Sequence, residues 1–340
     1  METKEIIKKA EQLRMNGYFK ESLKLWKKIY KKAVKNNDVE LGLDCLIVIG
    51  DLNRILGNFR NAELYYSESI ELSDILNNKI AMADALTGLA LSKKAMGQWR
   101  DALKLIRQAR KIYERNKDKK GIAFTFWAEG AIWRFGGRIK KSLQSFYKSL
   151  TLFKKLKNNQ SLGYVYCGLG GSLRVYGNYE DSMRYYRMAN QIFNKIKDRF
   201  GMAYSFCGIG NAYRMIGDYK NAEKNFKKAI NIYSGIGDIV SSSYTLWSMA
   251  MINILRKKYA VALQYIKNSE KNFKKCKDPR GLIYCKLHRG IIHYLNKRKF
   301  FAIKYFSEAF NETQKYDFAL EKKYAQSLLK GKYTQPYNIP

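Results

Sequence analysis

Six cations stand at a fixed interval along this chain: Arg14, Arg54, Lys94, Arg134, Arg174 and Arg214, each forty residues after the last. A guanidinium binds carboxylate or phosphate through two parallel hydrogen bonds, so such a row reads anions rather than moving protons. Aromatic residues accompany its middle, and flat rings supply contact area to a peptide or stacking faces to bases. The candidate ligand site is Phe124, Trp127, Arg134, Tyr164, Arg174, Tyr204, Asn211, Arg214, Tyr244 and Trp247.

Other chemistries find no support. His288 and His293 are five apart and do not share a helix face as an i, i+4 metal pair would. The cysteines, Cys45, Cys167, Cys207, Cys276 and Cys285, are odd in number and form no CxxC pair, which fits a reduced compartment and free thiols. Gly168-Leu169-Gly170-Gly171 and Gly208-Ile209-Gly210 look like phosphate loops, but they fall mid-helix with no strand before them. No Ser-His-Asp, Cys-His or paired-carboxylate arrangement is arguable. The expectation is a non-enzymatic protein with no metal and no cofactor.

The elements that position these residues repeat with the same period. Gly17, Gly57, Gly97, Gly137, Gly177 and Gly217 are evenly spaced, and Lys257 and Lys297 continue the series. Apolar residues at helical spacing precede and follow each of them, so each unit is an antiparallel helical hairpin. Seven residues before the turn stand only Ala or Gly, as at Gly210; five after it only Ala or Ser, as at Ala222. A bulky knob such as Phe226 recurs nine after the turn and fills the space between helices.

Gly210, Tyr213, Gly217, Tyr219, Ala222, Phe226 and Ala229 together resemble the tetratricopeptide repeat (TPR) signature, and eight units over residues 3–310 carry it in register. The forty-residue period, longer than the usual repeat, is similar to that of the kinesin light chain. The resemblance implies an all-α solenoid, a right-handed superhelix of eight hairpins over 1–311, with a capping helix at 312–330 and a flexible tail at 331–340. It further implies that the first helix of each hairpin lines the concave groove. Residues 13, 10, 6 and 3 before the turn then share one stripe.

Along that stripe two zones are expected. In units 1–3 Glu11, Asp44, Asp51 and Asp84 answer the cations, whereas in units 4–6 Arg134, Arg174 and Arg214 stand beside aromatics with no acid. A residue recurring once per unit can equally be structural, each Arg bonding the next unit and each Tyr packing between hairpins.

With 64 Lys and Arg against 29 Asp and Glu, the net charge of +35 favours polyanions. The leading expectation is a scaffold for an extended acidic peptide or protein surface. The rivals are single-stranded nucleic acid in the same groove, and a receptor for a short signalling peptide. A basic convex face allows peripheral contact with an anionic membrane. The N-terminal residues carry no apolar run like a signal peptide, and Ser241 to Leu255, the longest uncharged stretch, is too short to span a bilayer; a cytoplasmic location is expected.

Overall fold

The computed structural model describes residues 3–333, and every regular element among them is an α-helix. Four hairpins come first: α1 (Thr3–Met15) with α2 (Phe19–Lys35), α3 (Val39–Ile55) with α4 (Phe59–Ile75), α5 (Lys79–Ala95) with α6 (Trp99–Arg115), and α7 (Lys119–Phe135) with α8 (Ile139–Lys155). Then follow α9 (Asn159–Tyr176) with α10 (Tyr179–Ile196), α11 (Arg199–Met215) with α12 (Tyr219–Ile236), α13 (Ile239–Leu255) with α14 (Tyr259–Cys276), and α15 (Pro279–Leu295) with α16 (Lys299–Tyr316). A last helix, α17 (Ala319–Leu329), closes the stack. The all-helical solenoid read from the sequence is the fold. Its eighth hairpin runs on to Tyr316, past the boundary at 311, and from Thr334 the expected tail lies outside the described residues.

The small-residue positions are sockets for the knobs. A Cβ on Gly210 would lie 2.6 Å from the ring of Phe226 in the same hairpin, and one on Gly208 would lie 2.0 Å from the ring of Tyr186 in the hairpin before. Gly168 and Gly170 likewise receive Phe146 and Tyr186. Each buried ring is thus wedged between two successive first helices, and the mid-helix glycine pairs mark where backbone meets ring.

Unit boundaries carry a second device. Asp198 accepts a hydrogen bond from the Gly201 amide at 2.9 Å, and Asp278 from the Gly281 amide at 3.0 Å; Asp38, Asn78, Asp118, Asn158 and Asp238 do the same at their helices. These residues are N-caps of the helix that follows. The stop is made one residue earlier by a left-handed residue, from Asn37 to Lys277, with φ between 51° and 76°. The glycine-free turns of hairpins seven and eight hold the same geometry, with φ of 59° at Lys257 and 60° at Lys297.

The hairpins coil so tightly that successive superhelical turns touch. A Cβ on Gly17 would lie 2.8 Å from Ile236, one on Gly57 2.8 Å from Val240, and one on Gly97 2.6 Å from Tyr316. Arg199 donates to the Asn16 carbonyl at 3.3 Å, and Arg100 pairs with Asp317. The hairpin turns of units 1–4 therefore rest on the inter-unit loops of units 5–8. Leu56, just before a covered turn, is 7% exposed, whereas its uncovered equivalent Ile216 is 59% exposed.

Candidate ligand-binding groove

Because the coil closes, its inner face is not uniformly open. Asp44, Asp84 and Phe124 are exposed, and Arg54, Lys94, Trp127 and Arg134 are half-buried. Further along, Tyr164, Tyr204, Asn211 and Tyr244 are half-buried, and Arg174, Arg214 and Trp247 are buried. Arg214, expected on an open wall, is 1% exposed, with Nε on the Asn211 side-chain oxygen at 3.3 Å and Nη1 against Met251 Sδ. Trp247 stacks on His288 with centroids 4.8 Å apart and planes 6° apart. Burial, with Arg214 nearby, holds His288 well below its ordinary pKa, so this histidine is neutral. The sequence sets Arg214 and Trp247 on the groove wall; the structure packs Arg214 against Met251 of the next first helix and Trp247 against Tyr284 and His288 of the one after that.

The recurring tyrosines have structural partners. Tyr164 donates to Asp198 at 2.8 Å and Tyr244 to Asp278 at 2.9 Å, each reaching the N-cap of the next first helix. Tyr204 breaks the pattern: its hydroxyl accepts from Arg134 Nη2 at 3.2 Å. Arg134 Nη1 donates to the Gly168 carbonyl at 3.2 Å, and a Cβ on Gly171 would fall 2.0 Å from that nitrogen. The glycine six residues before the turn is therefore the space the guanidinium occupies. Beside it, Trp127 donates to the Tyr164 carbonyl at 3.1 Å and stacks on Phe124 at 5.3 Å.

Carboxylates answer the cations of the first two units. Arg14 meets Glu11 at 2.7 Å and Arg54 meets Asp51 at 3.1 Å. Asp84 accepts from Tyr113 rather than from a cation. Among the described residues no Asp or Glu lies within salt-bridge distance of Lys94 or Arg134. Burial pushes the Lys94 ammonium down to about 8, and Arg134, Arg54 and Arg280 add to the fall against a weaker pull from Asp278. Arg280 arrives from the next superhelical turn. It pairs with Glu321 at 3.0 Å, donates to the Phe135 carbonyl and lies 3.7 Å from the Phe135 ring centroid, while Lys94 sits 5.7 Å from the same centroid. The resulting centre, Lys94 and Arg134 with Arg54, has the chemistry of an anion site beside the Phe135 ring. No sequence signal points to Arg280, which is 145 residues from its partner Phe135.

Among the described residues no group of His, Cys, Asp and Glu could hold a metal ion, and no helix is long and apolar enough to cross a membrane. The five cysteines are free thiols. Burial, opposed by Arg134, pushes Cys167 far above the ordinary thiol range.

Two family models described as tetratricopeptide repeat match the chain, over residues 161–234 and 82–116. No curated protein matches it in sequence. Among solved structures, a Rap conjugation gene regulator of plasmid pLS20 in complex with the Phr* peptide is similar, with a TM-score of 0.69 at 12% identity over 98% of both chains. A Rap protein complexed with competence and sporulation factor gives 0.64 at 14% identity, over 97% of this chain and 98% of that one. The apo form of RapI gives 0.60 at 13% identity, over 82% and 99%. At such identities the likeness is one of fold.

Proposed function

The chain belongs to the tetratricopeptide repeat family, and on that premise we propose that it is a non-enzymatic scaffold holding an acidic peptide along the inside of its coil. The observation that carries this reading is the pair Lys94 and Arg134, two inner-face cations with no carboxylate at salt-bridge distance among the described residues. A cation depressed by burial and by like charges gains most from an incoming anion. A side-chain or terminal carboxylate of the ligand would sit between Lys94 and Arg134, close to Arg54. Phe124 and Trp127 then give the adjoining residues a flat apolar wall.

Contact between successive superhelical turns favours a peptide over a folded protein surface, because it closes the side of the groove. The similar Rap structures that contain competence and sporulation factor and the Phr* peptide support a short peptide as the ligand class. Tyr164, Arg174, Tyr204, Asn211, Arg214, Tyr244 and Trp247 then act as the packed support of the site more than as its contact surface.

Fluorescence anisotropy with a labelled acidic peptide tests this. Lys94→Met and Arg134→Met are each expected to weaken binding by about tenfold, the loss of one charge-assisted contact. A labelled single-stranded oligonucleotide is the comparison. Binding of it with a log–log salt slope near −0.7 per phosphate, and stronger than that of any acidic peptide, would overturn the proposal.

A further inference from the structure

We propose that the free edge formed by the turns of hairpins seven and eight is a docking surface for an anionic lipid membrane. Three and four residues after the turn, units 1–6 carry polar or charged residues, such as Lys20-Glu21, Arg100-Asp101 and Lys220-Asn221. Units 7 and 8 carry Ala260-Val261 and Phe300-Phe301 at the same positions. Six units fold with polar side chains there, so the apolar ones answer no demand of the repeat. They do not enter the core either: Phe300 is 76% and Phe301 49% exposed. Val261, Leu263 and Ile303 are exposed on the same edge.

Cations surround this apolar tip. Where five of the six earlier units have a turn glycine flanked by Asn, Asp or Gln, these have Lys257-Lys258 and Lys297-Arg298-Lys299, all exposed, and Lys304 follows. Among the described residues none of the six forms an ion pair. Among the described residues these side chains stay exposed, whereas the glycine turns of units 1–4 lie under the next superhelical turn.

An exposed phenylalanine pair with aliphatic neighbours, ringed by unpaired cations, matches a bilayer interface: the rings and branched chains enter the acyl boundary while the cations meet anionic head groups. Nucleic acid fits less well. Phe300 and Phe301 meet edge to face at 81°, not as parallel platforms, and Val261, Leu263 and Ile303 have no face on which a base can stack.

The test is co-sedimentation of the full chain with vesicles of phosphatidylcholine alone or with about a third phosphatidylserine. Partition onto the anionic vesicles only is expected. Phe300→Ser with Phe301→Ser, and separately Lys297→Glu with Lys299→Glu, should each lower it by about tenfold with helicity unchanged. Lys27→Glu with Lys28→Glu, an equal charge change on α2, should lower it less than about twofold. Equal loss from both lysine pairs would reduce the effect to net charge and overturn the proposal, as would no loss from the phenylalanine change. Oligouridine binding that needs Phe300 and Phe301, with vesicle partition independent of them, would overturn it in favour of RNA.

Discussion

Tyr164 and Asp198 join neighbouring hairpins through one hydrogen bond of 2.8 Å, and the carboxylate that accepts it also caps α11 through the Gly201 amide. One acid thus satisfies an orphan helix amide and a largely buried phenol. Replacing Tyr164 with Phe should cost about 1 kcal/mol, the net worth of one such bond. Asp198→Ala removes the cap as well and should cost about 2 kcal/mol. Urea unfolding measures both, and equal losses from the two would show that the phenol, not the cap, dominates.

The sockets are less forgiving than the caps. In Gly208→Ala the new methyl would meet the Tyr186 ring at 2.0 Å, and that ring is held on its other side by Gly170. Neither neighbour is the end of a flexible chain. A destabilisation of about 1–3 kcal/mol is expected from overpacking. Gly217→Ala, with open space around it but φ of 87°, should cost about 1 kcal/mol through backbone strain alone. Thermal unfolding of the two variants separates packing from conformation.

The repeat made the hairpins, the sockets and the inner stripe readable, because each depends on residues within one or two units. The sequence marks Gly210 as a close-approach position and Phe226 as a knob, since both recur in register, and the structure brings the two together. What it does not carry is the closure of the coil. Arg199 touches Asn16 across 183 residues, a separation that leaves no periodic mark. From that closure follows the arrival of Arg280 beside Phe135 and Lys94. The tyrosines were ambiguous for another reason: a residue recurring once per unit serves a groove and an inter-unit bond with the same spacing, and only the Asp198 and Asp278 contacts distinguish them.

Closure itself can be tested at one residue. Leu56 packs beneath the loop at Gly237 and Ile236, whereas Ile216 holds the same repeat position with no turn above it. Leu56→Asp would place a carboxylate at a site only 7% exposed between superhelical turns, so the turns should part. Small-angle scattering should record a larger radius of gyration for Leu56→Asp at unchanged helicity, and none for Ile216→Asp. Identical scattering from both variants would mean that the turn-to-turn contact does not hold the coil closed.

Lys94 gives the peptide reading a pH signature. In the free protein burial and the cations Arg134, Arg54 and Arg280 bring its ammonium down to about 8, against 10.5 for an ordinary lysine, with Asp278 opposing them weakly. A bound carboxylate favours the charged form, so the complex holds the proton to higher pH than the free protein does. Affinity is then constant below the free value and falls as pH rises through it, because binding must take up a proton that Lys94 has lost. The arginines keep their charge throughout and contribute no slope. Anisotropy titrations from about pH 6 to about pH 10 should show that fall beginning near 8, with net proton uptake in the same window. Lys94→Met should bind more weakly at pH 7 and show no such fall. A wild-type affinity flat across this range, or a fall that Lys94→Met retains, would remove Lys94 from the site and leave Arg134 and Arg54 as its only candidate anchors.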